Sequence, residues 1–348
     1  MIAATRPFLL ACVLALALAA PGRAATPYVI GVVYWSMAIP GQVAMRRGLE
    51  AAAAEINRSR PPRPIRLIAF VGGDGEEGIR RQRAAMAHLV RRRPDAIILQ
   101  PIDSAALSGP VQDANRANIP VVAYDQYVLN GRLACYLTSN NTLAGTLDGE
   151  YLAYRFRSRT RAHPLRLVIV EYPYVTSTVE RVEGLLDALV KSGTPYRIVA
   201  RYQAIEPKAG RAVGRAIARN HPRGTVDAVF CVNDGGGLDI KRQLEAAKRT
   251  DIVMATIDGD PASVRSIVEG GAIGIDTAQF CGALGAESLK VTHRLLRGER
   301  IPRQVLVTVF PVTKASVAAF PGWDGAVPRV IRRPWPPYEQ VPGNRLTW

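Results

Sequence analysis

Two doubly wound parallel α/β sheets are the fold this sequence predicts, on three observations. Apolar runs alternate with amphipathic stretches along the chain. The apolar runs are unbroken in Val, Ile and Leu, which marks parallel strands buried on both faces rather than half-exposed ones. The length of 348 residues exceeds what one small core requires, so the units divide over two sheets.

The strand at "YVIGVVY" precedes the helix "GQVAMRRGLEAAAAEIN", and "IRLIAFV" precedes "EEGIRRQRAAMAHLVRR". "AIILQP" leads into "SAALSGPVQDANRAN", and "PVVAYD" follows. After a loop, "TLAGTLDGEYLAYRFRSR" is helical, and "TSNNTLAG" at 138–145 is a polar break between the halves. The second half repeats the scheme: "LRLVIVEY" with "TSTVERVEGLLDALVKS", "YRIVARYQ" with "KAGRAVGRAIARNH", "DAVFCVND" with "GLDIKRQLEAAKR", "IVMATID" with "PASVRSIVEG". Apolar positions three and four apart define the helices. Strand–helix repetition implies right-handed crossovers.

The N-terminus carries an address. A short, singly charged start, the apolar run "PFLLACVLALALAAP" and the small residues at Gly22–Ala24 read as a secretory signal peptide over 1–24, cut after Ala24. Cys12 stands too early in this run to be a lipid anchor. No later stretch is long and apolar enough to span a bilayer. The mature chain is expected in a periplasm-like space.

Composition narrows the function classes. The chain is 48% hydrophobic and 21% charged, ordinary values for a globular protein, yet its net charge is +16. The basic residues are scattered, without an aromatic-basic motif, which favours a solvated basic surface over a nucleic-acid groove. Cys135, Cys231 and Cys281 remain after the leader, an odd number without CxxC, so a disulfide framework is excluded. They read as buried small hydrophobes, with a Cys231–Cys281 bridge left open. No G-x-S-x-G elbow or HExxH occurs, and His88, His163, His221 and His293 lack ligand spacing. "VGGDGEEG" lacks the Lys-Ser/Thr of a phosphate loop. Neither enzymatic activity nor a cofactor or metal is expected.

The strand ends carry the functional signal. "VDAVFCVNDGGG" is an apolar strand that stops at Asn233-Asp234 and three glycines. Other strands end at Tyr34-Trp35, Gln100 and Asp103, Asp125-Gln126, Tyr172 and Tyr174, Asp258 and Gln279. Ligands of open parallel sheets sit beyond the carboxyl ends of the strands. Buried charges need partners. Any one of these residues is more often a helix cap; the series together reads as a site. Carboxylates and amides offer several hydrogen bonds each, and aromatic rings offer flat apolar faces. That combination suits a small polyhydroxylated ligand.

The stretches "AIILQPIDSAAL", "IPVVAYDQ", "ERVEGLLDAL", "DAVFCVNDGGGLDIKRQLEAA", "TIDGDPASVRSIVEGGAIGIDTAQ" and "LGAESLKVTHRLLRGERIP" resemble, in order and spacing, the ribose-type periplasmic sugar-binding proteins of ABC transporters. The resemblance runs from Tyr28 to Phe320. It implies the type I periplasmic binding fold: two lobes joined by a hinge, one of residues 25–139 plus 280–308, the other of 140–279 plus 309–325, with 326–348 a Pro/Arg-rich tail. It implies ligand contacts at Asp125, Arg181, Asn233, Asp258 and Gln279, with Gln100 at the end of its strand. Gln126 replaces the family's Arg. The family's aromatics follow a Pro in the first loop, whereas Gly41 and Gln42 follow Pro40 here. Tyr34 and Trp35 stand as a substitute platform or as core.

The implied function is closure on a monosaccharide or polyol and delivery, as a monomer, to an ABC transporter permease. The alternative is a periplasmic sensor that binds a small non-sugar such as trimethylamine N-oxide and signals to a membrane histidine kinase or chemoreceptor. A repressor sharing these lobes would need an N-terminal helix-turn-helix where the leader stands. The tail, with Trp335 and Trp348 and with Trp323 just before it, reads as a wrapping segment or, at lower weight, a docking element.

Overall fold

The computed structural model describes residues 26–336. The leader expected over 1–24 and the end of the tail, with Trp348, lie outside the described residues. One sheet holds β1 (Tyr28–Tyr34), β2 (Ile65–Val71), β3 (Ala96–Leu99), β4 (Val121–Tyr124), β5 (Cys135–Ser139) and β11 (Gln304–Val307), in the order β11-β5-β4-β3-β1-β2. The other holds β6 (Leu165–Glu171), β7 (Tyr196–Gln203), β8 (Ala228–Cys231), β9 (Val253–Asp258), β10 (Ile273–Ala278) and β12 (Phe310–Val312), in the order β12-β10-β9-β8-β6-β7. All pairings are parallel except the short antiparallel β10–β12 pair.

Central strands are buried along their whole length: β3, β4, β5 and β8 have no exposed residue. The edge strands β2 and β7 are instead only partly covered and include exposed residues. One face of an edge strand is covered less, so its apolar run is less protected than the pattern alone suggested. The chain passes between the sheets after β5, after β10 and between β11 and β12. The strands at these passages are short or carry Thr, Ser and Asp, which is why apolar runs alone do not reveal them.

Two helix pairs bring the passages together. Helix α1 (Pro40–Arg58) packs on α9 (Cys281–Leu296), and α4 (Asn141–Arg155) packs on α5 (Thr176–Lys191). Glycine sets both distances. A Cβ at Gly285 would collide with the Met45 carbonyl, and one at Gly145 with the Arg181 carbonyl. Backbone contact this close leaves no room for any side chain. The second contact fixes the turn of α5 that bears Arg181.

The three cysteines are buried and free, so the Cys231–Cys281 bridge left open above does not form. Trp323 and Trp335 are used internally. The Trp323 indole donates to the Asp258 carbonyl at 2.6 Å. Trp335 is buried, lies edge-on to Tyr151 and donates to Glu150. The docking reading of these two residues is thereby replaced by the wrapping one. Among the described residues no helix is long and apolar enough to cross a membrane.

Candidate functional site

A narrow cavity of about 30 Å³ lies between the carboxyl ends of the two sheets; pockets that hold small molecules measure about 300–1,000 Å³, so this one must widen to admit a sugar. Trp35, Asp125, Gln126, Arg181, Asn233, Asp258 and Gln279 all line it. Tyr34 and Gln100 do not.

Tyr34 is a correction to the expected platform. It is fully buried in the core under the first sheet, its hydroxyl toward Glu50 and the Arg46 guanidinium 5.1 Å from its ring centre. Burial pushes its hydroxyl well above the ordinary range. Gln100 sits behind the wall. Its amide Nε2 donates to Asp125 Oδ2 at 3.0 Å, while its Oε1 accepts from the Trp35 backbone and the Tyr124 hydroxyl. It therefore positions two lining residues without reaching the cavity.

Asp125 follows β4 in the left-handed region, at φ 66°. Its carbonyl accepts from the Thr138 hydroxyl, which holds this turn. Burial raises its carboxyl, and the Gln100 hydrogen bond and the charge of Arg181 pull it back only in part. Gln126 reaches across: its Oε1 accepts from the Ser177 hydroxyl, on the first turn of α5, at 2.7 Å. This contact joins the two sides of the cavity directly.

The opposite wall is a tight network. Arg181 donates from Nε to Asn141 Oδ1 at 2.9 Å and from Nη1 to the Val232 carbonyl at 2.6 Å and Asp258 Oδ1 at 3.2 Å. Gln279 Nε2 donates to the same Asp258 oxygen at 2.6 Å. Asp258 ends β9 at φ 140°, a costly backbone geometry for a residue with a Cβ. Burial raises its carboxyl, opposed by Arg181 and Gln279. Asn233 caps α7 (Asp234–Ala246) by accepting from Gly236 N, and donates to the Ile205 carbonyl. Both lining carboxylates thus sit at positive φ, and strain held by its surroundings clusters at functional sites.

Behind Asp258 lie three more buried carboxyls. Asp234 accepts from the Thr256 hydroxyl and Asp260 N, Asp276 from Gly259 N, and Asp148 from the Thr277 hydroxyl. Burial raises all three.

Sequence reasoning missed Gln42, Ser177 and Thr178, which also line the cavity. They stand on the first turns of α1 and α5, where such residues ordinarily cap. The Pro40-Gly41-Gln42 opening of α1 was the available signal, because it follows a strand end. Trp35 is the sole aromatic in the lining.

The periplasmic binding protein domain family matches residues 30–300 of the chain. The chain belongs to that family. It is a ribose-type, type I periplasmic binding protein. It is 26% identical to the ribose import binding protein of Escherichia coli K12 over 245 residues, 69% of this chain and 79% of that one. It is 24% identical to the xylitol-binding protein of Mycolicibacterium smegmatis over 254 residues, 72% of this chain and 70% of that one. The Caulobacter myo-inositol binding protein, solved with myo-inositol bound, superposes with a TM-score of 0.73 at 19% identity, covering 87% of this chain and 97% of that one. These relatives are binding proteins, and structural relatives of the family hold sugars or polyols.

Proposed function

We propose that this periplasmic binding protein closes on a small polyhydroxylated ligand, a monosaccharide or polyol, in the periplasm and delivers it to an ABC transporter permease. The observation that carries this reading is the single cavity into which both sheets send hydrogen-bonding side chains, spanned by the Gln126–Ser177 contact. Three chain passages between the lobes, 25–139 plus 280–308 and 140–279 plus 309–325, act as the hinge. Ligand shifts the population toward the closed form because only there do both walls touch it. The permease reads that form. The role is binding, not catalysis. The relatives the chain matches are binding proteins, which supports that reading. Export by the leader at 1–24 places the mature monomer beside its permease.

Thermal-shift screening of the mature protein against sugars and polyols tests the reading. A ligand that binds the folded form alone raises the melting point by mass action. The expected result is a concentration-dependent rise with at least one of them, lost in Asn233→Ala. A rise that Asn233→Ala leaves untouched, or none across the panel, contradicts it.

A further inference from the structure

The cavity's charges do not balance, and the imbalance names a ligand class for the site proposed above. The lining holds two carboxylates, Asp125 and Asp258, and one cation, Arg181. Arg181 is committed to Asp258 at 3.2 Å, and the side chain of Asp258 also lies against the start of α1, beside Gly41. Asp125 is compensated less: the charge of Arg181 reaches it without contact. It is 4% exposed, its nearest polar partners are amides, and among the described residues no ion pair reaches it. A buried carboxylate in that condition carries an unpaid desolvation cost that a cation brought by the ligand would offset.

A hollow adjoining the cavity has the same bias. It shares Trp35 and Ile205 with the cavity and is lined by Asp74, Glu206 and Tyr172, with no Lys or Arg in its wall. Lys208 acts on Glu206 from nearby but does not line the hollow. The chain has 45 Lys and Arg against 29 Asp and Glu, so an acidic hollow beside the cavity runs against its overall charge. A cleft lined by one sign of charge focuses the field and concentrates the opposite ion. Tyr172 stands 6.5 Å from Trp35, centre to centre, so two aromatic rings border this hollow. The faces of such rings attract cations.

The free hydrogen-bonding capacity agrees. Gln279 Oε1 is buried and accepts from no partner, and Trp35 Nε1 is buried and donates to none. A primary ammonium offers three donors and no acceptor, and hydroxyls offer both.

We propose that the ligand is a protonated amino sugar or primary-amino polyol whose ammonium group pairs with Asp125. The hydroxyls then meet Asp258, Gln279 and Gln42. This deepens the polyol reading and depends on it.

Calorimetric titration of the mature full-length protein with matched pairs tests it: glucosamine with glucose, galactosamine with galactose, serinol with glycerol, at a pH where each amine is protonated. The amine of at least one pair is expected to bind about tenfold or more tightly than its neutral partner, a difference of about 1.4 kcal/mol. Asp125→Asn, which keeps the shape, should erase that difference. Glu206→Gln, in the adjoining acidic hollow, should slow association of the amine and not of the neutral partner, so the inference stays testable if Asp125→Asn folds poorly. Neutral members binding as tightly as the amines overturns the inference and leaves polyol binding standing. An amine preference that survives Asp125→Asn also overturns it. Binding by no member overturns both.

Discussion

On the second-sheet side of the cavity Arg181 is tied to Asn141, the Val232 carbonyl and Asp258, and Gln279 closes the network on the same carboxylate oxygen. On the first-sheet side Asp125 takes an amide hydrogen bond from Gln100, and Gln126 leans across to Ser177. One wall is framework as well as site; the other is site with little framework. The contrast teaches where stability and selectivity separate. Groups fixed by their own neighbours hold geometry whether or not ligand is present. Groups short of partners wait for the ligand to supply them, and so choose it.

The largest effect that would break this comparison is in the framework wall. Arg181→Met leaves Asp258 buried without its cation, and breaking a buried pair costs about 3–5 kcal/mol. Urea unfolding should show a loss of that order together with loss of binding. A stable, binding-competent variant would mean that the network is not framework.

Asp125→Asn is the counterpart on the other wall. Affinity for the best ligand should fall tenfold or more, since a hydrogen bond to a charged group contributes about 1.5–3 kcal/mol. The urea midpoint should stay level or rise, because the variant removes a buried charge whose carboxyl is already held above its ordinary range. A large drop in stability would make Asp125 framework too.

A smaller effect sharpens the picture behind Asp258. Burial raises the carboxyls of Asp148, Asp234 and Asp276. The folded state therefore keeps protons that the unfolded chain releases. By linkage, what these three contribute to stability is fully present below the ordinary carboxylate range, about pH 4, and is lost as pH rises through their raised range. Asp276→Asn should flatten that loss in a plot of melting temperature against pH. A curve parallel to that of the parent protein would contradict it.

The smallest effect concerns the tail. Trp335→Ala should lower stability modestly, through lost packing on Tyr151 and Glu150, and leave ligand affinity unchanged. Weakened binding would tie the tail to the site.

The framework wall was also the more legible in sequence. Arg181, Asn233, Asp258 and Gln279 stand at strand ends or in segments whose order matches the family, and all four line the cavity. On the other wall, Tyr34 ends β1, a strand buried on both faces, and Trp35 follows it, so their composition could not say which one turns to the cavity. The side chains of a strand alternate: Tyr34 went into the core under Glu50 and Arg46, and Trp35 lined the site. Gln100 was legible as a strand end but not as a support, because its role depends on the distance to Asp125, just past the end of the neighbouring strand. Ser177 and Thr178 were hidden by their likeness to ordinary helix-start residues. Strands β5, β11 and β12 were hidden by their brevity, four residues in β11 and three in β12.

The most direct measurement is a crystal structure of the mature protein with the tightest binder from the amine and polyol panels. The ligand is expected between the sheets, within hydrogen-bonding distance of Asp125 on one wall and Asp258 on the other. A ligand held elsewhere, or touching one wall alone with the lobes unjoined by it, would contradict the account.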